Sequence, residues 1–101
     1  MQEVKSSQET IIAEIRAYQE FIDKWEQELL KVQADLDKGK ERVLLLNELK
    51  QRVTPGSKTE IVKANIDMAV DEVVELTKKE SHLSGNIKTY QEFVNELNKM
   101  L

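Results

Sequence analysis

The sequence predicts an all-α fold: an antiparallel two-helix coiled-coil hairpin that dimerises into a four-helix bundle. Three observations lead there. The 101 residues are 34% charged and 40% hydrophobic, with three Gly, one Pro and no Cys. That balance, rich in Lys, Glu, Leu, Val and Gln, favours long helices over sheets and excludes a disulfide-stapled fold. Apolar residues recur at alternating steps of four and three over two long stretches. A single short segment, Thr54-Pro55-Gly56-Ser57, separates those stretches.

The first helix is expected over about 6–53. Stepping from Val4 gives Gln8, Ile11, Ile15, Tyr18, Ile22, Trp25, Leu29, Val32, Leu36, Gly39, Val43, Leu46, Lys50 and Val53, with only Gln8, Gly39 and Lys50 departing from apolar character. A seven-residue spacing sustained this long asks for a left-handed supercoil against a partner helix. Ser6 and Glu9 have the spacing of a capping box, which starts the helix near Ser6 or Ser7. Asp37-Lys38-Gly39-Lys40 is a weak point, because Gly inside a helix costs roughly 1 kcal/mol relative to Ala.

The turn is placed at 54–57. Pro55 disfavours helix in Thr54, Gly56 permits positive φ, and Ser57 with Glu60 has the spacing of a second capping box. The second helix is expected over about 58–101, its stripe running Val62, Ile66, Ala69, Val73, Leu76, Glu80, Leu83, Ile87, Tyr90, Val94, Leu97 and Leu101. A second weak point, Ser81-His82-Leu83-Ser84-Gly85-Asn86, interrupts it; breaks at both would give four shorter helices, but the stripes keep their phase across both. So short a connection folds the second helix back antiparallel on the first, making residues 1–101 one hairpin domain.

An octet repeats within this pattern. Ile15-Arg16-Ala17-Tyr18-Gln19-Glu20-Phe21-Ile22 in the first arm is echoed by Ile87-Lys88-Thr89-Tyr90-Gln91-Glu92-Phe93-Val94 in the second. Both copies share one heptad phase, with Tyr at d and Phe at g, beside the seam. Folding at Gly56 sets them side by side, with Trp25 and Leu97 next along their seams. Ile12, Phe21, Leu30, Leu44, Leu45, Leu49, Val70, Val74, Phe93 and Met100 lie off the seam. Two helices alone leave such residues uncovered, which points to a further helix pair as cover. The expected protein interface is therefore Ile15, Tyr18, Phe21, Ile22 and Trp25 with Ile87, Tyr90, Phe93, Val94 and Leu97, closed by a homodimer or by a partner's coiled coil.

Little in the chain points to catalysis. His82, the one histidine, falls at c on the solvent side, and no set of residues has the spacing of a metal site or a phosphate loop. A non-enzymatic protein without cofactor or metal is expected. Glu80 at a seam position reads as an edge carboxylate in solvent, and Lys50 as a side chain snorkelling to water near the turn.

Charge is uneven along the chain. Residues 1–35 carry −4, residues 36–63 carry +3 and residues 64–101 carry −3, within a net −4. Lys38, Lys40, Arg42, Lys50, Arg52, Lys58 and Lys63 make a basic tip, a second and polar contact surface. No aromatic residue lies among them to stack bases, so nucleic-acid binding is not the expected use.

Two families of helical hairpins bear comparison. The chain resembles type VII secretion substrates in length and in having a Gly-containing turn, but their Trp-x-Gly turn is absent, since Trp25 is mid-helix and Gly56 follows Pro55. It resembles prefoldin subunits in its two arms, but 54–57 is too short to hold their β-hairpins. The stretch Phe21–Leu29 is similar to nucleoporin coiled coils over nine residues. The expected role is coiled-coil self-assembly or an adaptor or scaffold module; the alternative is a secretion chaperone or effector-type protein that binds or blocks a polypeptide in an exposed groove. With no apolar run long enough for a span and no signal-peptide pattern at the start, the expected setting is soluble, cytoplasmic or otherwise intracellular.

Overall fold

A computed structural model describes residues 7–101. Helix α1 runs Gln8–Arg52 and helix α2 runs Ser57–Lys99. They pack against each other as an all-α helical hairpin, with no strand among the described residues. Both helices continue unbroken through Gly39 and Gly85. Packing divides the chain into two compact units, one combining the stretch up to Leu29 with His82–Leu101, the other formed by Leu30–Ser81.

The helix ends are set by local hydrogen bonding. At the start of α1 the Thr10 N–H donates to Ser7 Oγ at 3.1 Å and the Ile11 N–H to Ser7 O at 3.1 Å, so Ser7 is the cap. Ser6, the other candidate cap, and Val4 lie outside the described residues. The capping box expected at Ser57 and Glu60 is not what begins α2. The Glu60 N–H donates to Gly56 O at 3.2 Å, which makes Gly56 the cap and Ser57 the first residue inside the helix. Gly56 has φ +130°, a left-handed value that favours glycine, and this reversal leaves no role for a serine cap one residue later. Thr59 Oγ1 also donates to Thr54 O across the turn, at 3.4 Å.

Every buried hydrophobic residue lies on the two stripes. In the first unit these are Ile11, Ile15, Ile22, Leu83, Ile87 and Val94; in the second they are Val32, Leu36, Val62 and Ala69. Burying a side chain of this size stabilises the fold by about 1.5–3 kcal/mol, less for alanine, so the seam holds the helices together. Lys50 and Glu80 are half-buried on it, while Gln8 is exposed. Within the second unit the helices approach closely at Gly39, where an added Cβ would lie 3.0 Å from Val73 Cγ2. No helix among the described residues is long and apolar enough to cross a membrane.

Candidate functional site

The two copies of the octet meet in the first unit. Tyr90 is the hub of an aromatic cluster: its ring centroid lies 4.8 Å from that of Trp25, 5.1 Å from Tyr18, 5.4 Å from Phe93 and 6.0 Å from Phe21. The Tyr18, Trp25 and Phe21 rings meet it edge-on, the arrangement the ring quadrupole favours, and Phe21 stacks on Trp25 at 5.7 Å. Beneath the rings lie the buried Ile11, Ile15, Ile22, Ile87 and Val94, with Leu29 and Leu97 at the margin.

Heptad phase explains this placement. Tyr18 and Tyr90 at d point into the seam and are half-buried, while Phe21 and Phe93 at g flank it and remain 47% and 45% exposed. The cluster therefore has a packed underside and an open apolar top. Beside it Tyr18, Phe93, Glu96 and Leu97 line a shallow depression of about 280 Å³. The Glu14 carboxylate, hydrogen-bonded to the Tyr18 phenol, raises that group above its ordinary value, and partial burial and the neighbouring Tyr90 add to the effect. The neutral phenol is the form that a neighbouring carboxylate favours.

The basic residues lie differently. In the second unit Lys40 borders one groove, whereas Lys38 and Arg42 border another with Asp35, Gly39, Glu72 and Leu76. Arg42 Nη1 reaches Glu72 Oε2 across the helices at 3.7 Å, and Lys63 Nζ reaches Glu60 Oε1 at 3.7 Å. Lys58 sits at the turn with Thr54, Pro55 and Ser57, near Lys50 and Arg52 in the chain. Two of the seven cations, Arg42 and Lys63, thus form ion pairs, and Lys38 and Lys40 face different grooves. His82 is exposed, and no cluster of three or more His, Cys, Asp or Glu that could hold a metal occurs among the described residues.

Sequence reasoning did not single out the Lys40 groove as a site. Its walls, Val43, Leu44, Val70, Val73 and Val74, include three residues recognised only as lying off the seam. The available signal was the i,i+4 spacing of Val70 and Val74, which stacks them on one helix face. Comparison of the chain with protein-family models, with curated proteins and with solved structures finds no match.

Proposed function

We propose that this chain is a non-enzymatic assembly module, a coiled-coil hairpin that self-associates and serves as an adaptor or scaffold. What supports the reading above all is the aromatic cluster of the first unit. Phe21 and Phe93, one from each copy of the octet, hold roughly half of their surface in solvent although the hairpin seam is already filled beneath them. Large aromatic rings cost free energy when left wet, and they are the residue types that anchor interfaces. A second hairpin laid against them completes a four-helix bundle.

Solution mass tests this reading. Light scattering coupled to size exclusion is expected to give more than the 11.7 kDa of one chain. Phe21→Glu with Phe93→Glu is expected to lower that mass while far-UV circular dichroism stays helical, because both positions flank the seam. An undiminished mass for the double variant rejects the aromatic face as the contact. A strict monomer for the unaltered chain would favour instead a hairpin that binds another polypeptide.

A further inference from the structure

In the register that puts Tyr18 and Tyr90 at d, heptad positions c and g of the two helices share one flank within each unit. Packing agrees with that register. In the unit formed by Leu30–Ser81, Asp35, Lys38 and Arg42 of α1 line one groove with Glu72 of α2, and Arg42 reaches Glu72 at 3.7 Å. Leu45, Leu49, Ile61 and Met68 hold c and g positions of this unit and are 42–65% exposed. Charge is polarised across the unit. Its c and g positions hold Lys31, Lys38, Arg42, Arg52, Lys58 and Lys79 against Asp35, Glu72 and Glu75, a net +3, whereas its b, e and f positions carry a net −3. In the other unit the described c and g positions hold Glu14, Glu28 and Glu96 against Lys24, a net −2, on the flank of Phe21 and Phe93. Glu96 also pairs with Lys99 at 3.1 Å, an exposed pair of little strength.

We propose that the acidic aromatic flank of one copy docks on the basic aliphatic flank of another, so that Phe21 and Phe93 cover Leu45, Leu49, Ile61 and Met68 while the surrounding charges meet their opposites. The contact rests on the self-assembly reading above and names what meets the aromatic face. Two aromatic flanks laid together would set carboxylate against carboxylate, and two basic flanks cation against cation. Only the mixed contact joins opposite fields. Both flanks also leave large apolar side chains in water, so the same contact removes apolar surface on each side. Anionic lipid fits the basic flank less well, because Asp35, Glu72 and Glu75 would face like charge there.

Charge reversal tests it. Lys31→Glu with Lys38→Glu and Arg52→Glu turns the basic flank acidic, and Glu28→Lys with Glu96→Lys turns the aromatic flank basic. All five positions are exposed, so circular dichroism should stay helical. Each variant alone is expected to associate on the order of 10-fold more weakly than the unaltered chain, read by light scattering. Mixed in equal amounts at low salt, the two should associate again, because each then offers the charge that the other lacks. Recovery in the mixture upholds the contact. Variants that associate alone as tightly as the unaltered chain, or a mixture no heavier than its parts, overturn it. If Phe21→Glu with Phe93→Glu still lowers the mass in that case, the assembly reading stands without it. A strictly monomeric unaltered chain overturns both. Should that monomer bind vesicles of anionic phospholipid, and the triple variant not, the basic flank belongs to a lipid surface instead. If either variant loses helix, the unaltered chain decides: its association is expected to weaken from about 0.05 to about 0.5 M salt. Association that is unchanged or stronger at high salt overturns the proposal.

Discussion

Tyr18 shows how one side chain joins the seam to the surface. Its ring packs edge-to-face on Tyr90 at 5.1 Å, while the carboxylate of Glu14, one turn earlier in α1, acts on its phenol. The neutral phenol is the form that this neighbour favours, so folding raises its pKa above the ordinary value near 10. The stabilisation is therefore complete below pH 10 and is lost as pH rises through the raised folded value. Glu14→Gln removes the largest cause of the shift. In a Tyr90→Phe background, where Tyr18 is the only remaining tyrosine, tyrosinate absorbance is expected to appear at lower pH once Glu14 is replaced. An unchanged titration would leave the carboxylate without influence. The identity of this neighbour was legible from the i,i+4 spacing of Glu14 and Tyr18, but its effect was not, because the spacing does not say which way the phenol turns.

At the scale of the helices, the three glycines separate what spacing reveals from what packing adds. Alternating steps of four and three locate every buried hydrophobic residue, because the underlying period is the geometry of the helix and needs no knowledge of the partner. The two long helices themselves were legible, and they run Gln8–Arg52 and Ser57–Lys99. The cap of α2 was not. A serine three residues before a glutamate fits a capping box equally well wherever the chain reverses, and the φ of Gly56 decided the matter. Gly39 and Gly85 read alike as weak points, yet they differ in surroundings: Gly39 faces Val73 across the seam and Gly85 has nothing within 4 Å of an added Cβ. Gly85→Ala is thus expected to stabilise by about 0.5–1 kcal/mol through helix propensity alone. Gly39→Ala should gain less, since Val73 must move to admit the methyl group. Urea denaturation of both variants checks the order, and a larger gain at Gly39 would mean that the seam there is loose.

For the whole molecule, stability and assembly become one quantity if the exposed apolar residues are covered by further copies of the chain. The seam inside each unit buries no large side chain completely, and thirteen large hydrophobic residues remain exposed among the described ones. Covering them adds burial worth about 25 cal/mol per Å², a term that a small helical chain has few other ways to supply. Association then stabilises the folded form by mass action, because unfolded chains do not associate through these surfaces. Thermal melting followed by circular dichroism should accordingly move upward with protein concentration, by roughly 3–6 °C per tenfold for a dimer of two such chains. The variant lacking whichever contact holds the copies together should melt at one temperature across the same range. If the unaltered chain already melts independently of concentration, folding is complete within one copy, and the covering surface belongs to a different polypeptide. The slope thus measures how much of the fold's stability resides between copies, which solution mass alone leaves unquantified.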